Sequence, residues 1–341
     1  MKFPTATLAS ALLLTGVLAG VPVAANADGP KLSHVTTVGV HNTYETSAYD
    51  YLARSLDAGT SLIELDVWPD VITHEWKVSH GNPLGNDNNC VAANSADQLY
   101  SGGRNKNLEY CLDDIRIWLA AHPGHSPVTL KLEMKTGFSD NFGLGPDELD
   151  ATFRAHLGGA AFRPADLLGT YSTLDEAARA DHWPSLDSLR GKVITEIIPG
   201  TVEEGNPTDT LKTDVEYARY LRSLAASGRV GEANIFPTVH GAAPGDPRAK
   251  YPDAALRPWF VVFDGDAKAW VTQTDPGWYD ANHYYLVMTD AQNVSPPIDG
   301  HTPTVEQANR RVAELAKRHA SVVTADWTGL TTVLPQVLPR G

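Results

Sequence analysis

The chain has 341 residues, of which 41 are Asp or Glu and 27 are Lys or Arg, so its formal net charge at pH 7 is −14. Phosphate backbones are bound by clustered Lys and Arg, and the excess of acidic side chains therefore argues against nucleic acid as a partner. The same charge argues against broad electrostatic adhesion to anionic membranes. The length allows either one large α/β barrel or two ordinary domains.

The first 27 residues have the pattern of a secretory signal peptide. Lys2 is followed by an apolar run over residues 8–23 and by the small residues Ala25-Asn26-Ala27, after which we expect cleavage. No later stretch approaches the ~20 consecutive apolar residues that span a bilayer. The sequence therefore predicts a secreted, extracellular protein whose mature part, residues 28–341, has no transmembrane segment.

The first predicted strand, residues 35–42, is rich in β-branched residues and ends in the polar pair His41-Asn42. A helical pattern over residues 49–58 stops at Gly59, and a second strand follows over residues 61–68. Together these elements predict a βαβ unit, in which polar residues at strand ends lie at the carboxyl-terminal mouth.

The second strand places two carboxylates on one of its faces. Side chains alternate along a strand, so Glu64 and Asp66 share one side while the apolar residues between them lie on the other. Two like charges roughly 7 Å apart cannot stay in a dry interior without a compensating cation. The pattern favours a divalent metal; an exposed edge strand with solvated acids is the alternative.

A loop with two cysteines follows. A turn at Pro69-Asp70 leads to an extension over residues 76–81 that contains His80, and residues 82–110 are rich in Asn and Gly without periodicity, which predicts a loop at the barrel mouth. Cys90 and Cys111 are the only cysteines, and in an oxidising compartment such a pair is expected to form a disulfide. A zinc site would need further Cys or His at ligand spacing.

The third predicted strand, residues 127–135, repeats the alternation and places Glu133 and Lys135 on one face. Eight strands alternating with helices predict a (β/α)8 TIM-type barrel in one domain, distorted where the connector over residues 240–258 is rich in Pro and Gly. The five later strands are predicted over residues 192–199, 233–240, 259–264, 284–290 and 321–327, and the helices over residues 111–121, 147–156, 214–226 and 305–320.

The predicted strand ends supply hard ligands and two imidazoles. Carboxylates and an amide oxygen suit calcium or magnesium, and a mixed set from several strands favours calcium, because magnesium demands near-octahedral geometry. The histidines suit acid–base catalysis because imidazole titrates near neutral pH. Lys135 could contact a substrate phosphate or pair with Glu133. The set is His41, Asn42, Glu64, Asp66, His80, Glu133 and Lys135.

Four motifs in this order resemble the catalytic barrel of calcium-dependent phosphoinositide-specific phospholipase C. They are His41-Asn42-Thr43-Tyr44, Glu64-Leu65-Asp66-Val67-Trp68, His80-Gly81 and Pro127-Val128-Thr129-Leu130-Lys131-Leu132-Glu133.

The resemblance implies a set of residue roles and a reaction. Asn42, Glu64, Asp66 and Glu133 would be the calcium ligands, and His41 and His80 the catalytic pair. The inositol 2-hydroxyl of phosphatidylinositol would attack the phosphodiester, which gives diacylglycerol and a cyclic inositol phosphate that is hydrolysed further. The implied partner is a phospholipid at a membrane surface, and we expect a monomer.

One departure from the family concerns the inositol ring. Eukaryotic relatives carry lysines that bind additional phosphates after a segment similar to Leu189-Arg190-Gly191-Lys192, whereas this chain continues to Glu196. We expect this carboxylate to repel a 4- or 5-phosphate, so that unphosphorylated phosphatidylinositol is the preferred substrate.

Two other functions fit parts of the pattern. Glu133-Met134-Lys135 resembles the Glu-x-Lys of glycerophosphodiester phosphodiesterases, and the disulfide loop after His80-Gly81 is similar to that of sphingomyelinase D. A third possibility, from another class, is a barrel that binds calcium and lipid without catalysis and would therefore tolerate the loss of either histidine.

Overall fold

The computed structural model describes residue 1 and residues 29–341. The predicted signal peptide and its cleavage position fall outside the described residues, apart from Met1. None of the helices that the structure describes is long and apolar enough to cross a membrane.

A sheet of parallel strands forms the wall of a barrel, and all eight predicted barrel strands are present within a few residues of their predicted bounds. The strands are β1 Val35–Val40, β2 Leu62–Asp70, β3 Glu75–Val78, β4 Val128–Met134, β5 Ala161–Phe162, β6 Val193–Pro199, β7 Phe236–His240, β8 Val262–Asp266, β9 Tyr285–Thr289, β10 Val322–Ala325 and β11 Val337–Pro339. Neighbours follow the order β11-β1-β10-β9-β8-β7-β6-β4-β2-β3, with β5 beside β6. Among these described strands, the β2–β3 and β1–β11 pairs are antiparallel and the others are parallel.

The barrel closes where β1 meets β2. The Ser61 amide donates a hydrogen bond to the Val38 carbonyl oxygen over 2.8 Å. A Cβ atom at Gly39 would lie 2.4 Å from the Leu62 Cβ, so only glycine allows the two strands to approach this closely.

Helices connect the strands and pack their apolar faces on the barrel. In the last helix, α10, Ala308, Val312 and Leu315 are buried at helical spacing, and Thr304 at the N-cap accepts a hydrogen bond from the Gln307 amide. The helices are α1 Leu52–Asp57, α2 Leu108–Ala121, α3 Pro146–His156, α4 Pro164–Leu168, α5 Leu174–Arg179, α6 Thr201–Glu204, α7 Thr213–Ala226, α8 Ala267–Gln273, α9 Gly277–Ala281 and α10 Val305–Ala316.

The connector between β7 and β8 carries the predicted distortion. It contains two short 3-10 helices, Pro247–Lys250 and Ala254–Trp259, in place of a regular outer helix. The buried Arg248 anchors it, because its guanidinium pairs with Asp175 at 2.6 Å and lies 4.9 Å from the centre of the Tyr284 ring.

The loop over residues 82–107 is fixed by the predicted Cys90–Cys111 disulfide and by buried asparagines. The Asn89 side-chain amide donates to the carbonyl oxygens of Thr43 and Tyr49, both at 2.9 Å. The loop therefore packs on the segment that follows β1, at the mouth of the barrel, as the sequence predicts.

Candidate active site

Three carboxylates converge at the mouth of the barrel. Glu64 and Asp66 project from β2, and Glu133 lies beside Asp66 on the neighbouring strand β4. One ligand atom from each lies within 4.8 Å of the others. Glu64 and Asp66 are each 1 % exposed. They therefore lie together on the inward face of the strand, as the alternation of side chains predicts.

The donor set fits a hard divalent cation. Asp66 Oδ1 is buried and accepts no hydrogen bond from the described residues. Burial, followed by repulsion from Glu133 and Glu64, raises the pKa of Asp66 to about 7. An ion coordinated by these oxygens would supply the missing positive charge, and oxygen donors are those that calcium prefers.

Lys135 already lies between two of these carboxylates. Its ammonium group is 2.9 Å from Asp66 Oδ2 and 2.8 Å from Glu133 Oε1. Of the two roles expected for Lys135, pairing with Glu133 is the contact that the structure contains.

A second layer of charges lies deeper in the barrel, and sequence analysis missed it. The buried Lys131 ammonium is 3.2 Å from both Glu64 Oε1 and Asp264 Oδ1. Burial alone would raise the pKa of Glu64, but Lys131 and His41 lower it to about 2. Glu64 is therefore ionised and held in place. Strand alternation could have indicated Lys131, which shares the face of Glu133.

Glu196 belongs to this deeper layer. It pairs in register with Lys131, two residues below Ile198, which lines the cavity at the mouth, and it is 1 % exposed. Burial and the neighbouring Asp264 raise the pKa of its carboxyl group well above the usual range. The expectation that Glu196 repels a ring phosphate is therefore wrong, because the side chain lies beneath the cavity.

His41 lies at the carboxyl end of β1 with both ring nitrogens engaged. Nδ1 is 3.0 Å from Asp326 Oδ1, and Nε2 is 3.4 Å from Glu64 Oε2. Attraction by Glu64, opposed by burial and aided by Asp326, raises the pKa of His41 to about 9. Asn42 adopts the left-handed conformation, with φ 51°, and its backbone N–H donates to Glu64 Oε2 over 3.4 Å.

His80 occupies the rim of the mouth. Its side chain is 63 % exposed, and Nδ1 is 3.4 Å from Glu45 Oε1. The other Glu45 oxygen accepts a hydrogen bond from Ser47 Oγ over 3.1 Å. The structure thus gathers His41, the three carboxylates and Lys135 around one point. It places His80 on an exposed edge beside Glu45, a residue that the sequence pattern did not indicate.

A cavity of about 140 Å³ opens beside His41 and Glu133. His240 and Asp290 also line this cavity. His240 Nδ1 is 2.8 Å from Glu204 Oε1. Such a small cavity lined by acceptors and imidazoles suits a polyhydroxylated ring rather than an apolar group.

Two comparisons relate this chain to phospholipases C. The family model for Ca2+-dependent phosphoinositide phospholipase C matches residues 97–206. A solved Ca2+-dependent phosphatidylinositol-specific phospholipase C from Streptomyces antibioticus is 53% identical, covers 92% of this chain and 100% of its own, and superposes with a TM-score of 0.90.

A more distant structure shows the same fold. The calcium-dependent phosphoinositol-specific phospholipase C from a Pseudomonas species is 21% identical over 91% of this chain and 96% of its own, with a TM-score of 0.64. A comparison with curated proteins gave no match. On the strength of the Streptomyces relative, this chain belongs to the family of Ca2+-dependent phosphatidylinositol-specific phospholipases C.

Proposed function

We propose that this protein is a secreted, monomeric phospholipase C that cleaves phosphatidylinositol to diacylglycerol and an inositol phosphate, with residues 28–341 as its single domain. The observation that carries the proposal is the convergence of three carboxylates with His41 beside a small polar cavity. The 53% identity to the Streptomyces enzyme supports the same activity.

Asn42, Glu64, Asp66 and Glu133 would hold the calcium ion. When bound, calcium supplies positive charge that lowers the pKa of the inositol 2-hydroxyl and offsets charge on the phosphoryl oxygens. Either Glu64 or Glu133 would accept the proton of the 2-hydroxyl as its oxygen attacks phosphorus.

The two histidines would act on opposite sides of the phosphate. Asp326 binds His41 Nδ1 and leaves Nε2 directed toward Glu64 and the cavity, where a protonated ring would donate a hydrogen bond to a phosphoryl oxygen. His80 would protonate the glycerol oxygen as the phosphorus–oxygen bond breaks. Its exposed position supports this role, because diacylglycerol has to leave through the rim.

The charges of the cavity support unphosphorylated phosphatidylinositol as the substrate. Among the described residues that line the cavity, Lys131 is the only Lys or Arg, and Glu64 and Asp264 already neutralise it. A 4- or 5-phosphate on the ring would enter next to the exposed Asp290, with no unpaired Lys or Arg among these lining residues to bind it.

An apolar rim supports action at a membrane surface. Exposed apolar side chains follow the carboxyl ends of β2, β4 and β6 or lie in the loop after β3, on the same face as the cavity. Insertion of this apolar rim into the membrane would bring the cavity to the lipid headgroups. Binding of this kind does not depend on a basic surface patch, which suits a chain of net charge −14. The rim consists of Val71, Ile72, Leu84, Phe142 and Val202.

Turnover of phosphatidylinositol vesicles, with calcium or with a chelator, tests the proposal once the products are identified. We expect diacylglycerol and inositol phosphate, formed only with calcium. A free alcohol with the phosphate left on the lipid would instead indicate the phosphodiesterase or sphingomyelinase D alternatives.

The His80→Ala variant separates the enzyme from a barrel that only binds calcium and lipid. We expect it to lose at least 100-fold in turnover, within the roughly 10²–10⁴-fold range of general acid–base catalysis, while calcium still raises its melting temperature as in the wild type. Unchanged turnover would contradict the catalytic role of His80.

A further inference from the structure

Two histidines and an aspartate converge at the amino end of the barrel, opposite the mouth. His34 immediately precedes β1, His283 lies two residues before β9, and Asp181 belongs to the segment between α5 and β6. One ligand atom from each lies within 4.8 Å of the others. Three separate stretches of the chain therefore contribute one potential ligand each.

Each histidine lies close to one oxygen of the aspartate, at distances near those between the ligands of a tetrahedral metal ion. His34 Nε2 is 3.2 Å from Asp181 Oδ2, and His283 Nδ1 is 3.8 Å from Asp181 Oδ1. Zinc bound to nitrogen and oxygen at about 2.1 Å in tetrahedral geometry places its ligand atoms roughly 3.4 Å apart. The His34 and His283 rings are stacked, with their centres 5.6 Å apart, so the half-exposed His34 ring has to rotate before both nitrogens reach one ion.

Both carboxylate oxygens of the aspartate are already engaged by neighbouring side chains. Ser33 Oγ donates to Asp181 Oδ1 over 2.6 Å, and the Lys31 ammonium binds Oδ2 at 2.9 Å and the Asp181 carbonyl oxygen at 2.5 Å. Asp181 and His283 both have positive φ, 51° and 55°, a conformation that costs free energy in residues other than glycine and that the surrounding contacts must maintain.

We propose that His34, Asp181 and His283 form a zinc site, separate from the calcium site at the mouth. Two imidazole nitrogens and one carboxylate are borderline ligands that suit zinc, whereas the all-oxygen set of Glu64, Asp66 and Glu133 suits calcium.

The zinc ion has a structural role. The amino end of such a barrel is the face associated with stability, and chemistry occurs at the other end. Zinc joins the segment that enters β1 to the segments that enter β6 and β9. Lys31 competes with it, because the ammonium group already occupies one oxygen of Asp181 and repels a second cation.

Calorimetric titration of the calcium-loaded protein with zinc chloride tests the site. We expect one zinc ion per chain and a higher melting temperature with zinc. The His34→Ala and Asp181→Asn variants should each weaken zinc binding at least tenfold and lose that thermal shift. The Lys31→Met variant should bind zinc more tightly, because it removes the competing charge and keeps most of the apolar stem.

His156→Ala is the matched control. His156 also pairs with an aspartate, Asp113, at 2.9 Å, but among the described residues this pair belongs to no group of three potential metal ligands. It should bind zinc as the wild type does. Melting curves without zinc establish that each variant is folded. Absence of zinc binding in the wild type, equal binding in wild type and His34→Ala, or unchanged or weaker binding in Lys31→Met would overturn the assignment.

Discussion

At the scale of single residues, Glu45 is the group most closely tied to the role of His80. Its carboxylate is the charged partner of the His80 ring, at 3.4 Å, and Ser47 holds the other oxygen. A carboxylate beside Nδ1 orients the ring and leaves Nε2 as the nitrogen that can face the departing oxygen. We therefore interpret Glu45 as a positioning residue that acts through His80.

Replacing Glu45 by Gln removes the charge but keeps the shape. We expect the kcat for phosphatidylinositol to fall roughly tenfold, as part of the contribution of general acid catalysis. A substrate with a p-nitrophenolate leaving group, which needs no proton, should be cleaved almost as fast as by the wild type.

Comparing the two substrates distinguishes positioning from a structural role. An equal loss on both would show that Glu45 supports the fold or substrate binding and not proton transfer. Glu75→Gln is the control, because Glu75 pairs with Lys77 and not with a histidine. Both of its rates should match those of the wild type.

At the scale of secondary-structure elements, a buried carboxylate joins α3 to α7 and to the entry of β7. The Asp150 carboxylate accepts hydrogen bonds from the Tyr217 hydroxyl at 2.9 Å and from the backbone N–H of Asn234 at 2.8 Å. Burial raises the pKa of Asp150 to about 7 even though these donors lower it. The folded protein therefore binds a proton here that the unfolded chain, with an ordinary aspartate pKa, has released.

This difference makes the stability depend on pH. Between the unfolded pKa near 4 and the folded value of about 7, the folded state holds more protons, so stability increases as pH falls through 7. Relative to Asp150→Asn, the wild type should gain roughly 2 kcal/mol in unfolding free energy between pH 8 and pH 5. Urea unfolding of both proteins at each pH measures this, and a pH-independent difference would contradict the assignment.

The secondary-structure elements also show which parts of the fold a sequence pattern can predict. All eight barrel strands were predicted, because each is a short run rich in apolar and β-branched residues. β11 was missed because three partly exposed residues show no period. The short helices α4, α5, α6, α8 and α9 were missed because four to seven residues are too few to establish helical spacing.

The candidate site was predicted to a similar extent. Motif order indicated the carboxylates and His41, and the structure brings them together, although it leaves His80 at the rim. The pairing of Lys131 with Asp264 could not be predicted, because the charges along one strand do not show which partner lies across the barrel. Their contact depends on the closure of the sheet, which no local pattern encodes.

At the scale of the whole molecule, the apolar rim and the cavity share one face, so docking and chemistry require the same orientation. Ile72 and Leu84 are the most exposed side chains of the rim, at 79 % and 80 %. Each would contribute about 1.5–3 kcal/mol on insertion into lipid.

Replacing both residues by Ser should weaken binding to phosphatidylinositol vesicles at least tenfold and slow their hydrolysis in proportion. Hydrolysis of a short-chain phosphatidylinositol kept below its micelle concentration should remain unchanged. Val305→Ser, at an exposed apolar position on α10, is the control. Equal losses on vesicles and on the monomeric lipid would show that the rim supports the cavity and does not dock the enzyme.

The Cys90–Cys111 crosslink constrains more of the chain than the loop that it closes. Through Asn89 that loop holds the stretch between Thr43 and Tyr49, which includes Glu45. Formation of the crosslink is thus connected to the placement of His80, the proposed proton donor for the leaving group. In the proposed secreted enzyme both thiols are still reduced before export, so we expect the newly made protein to be poorly active, which would spare the lipids of the cell that makes it.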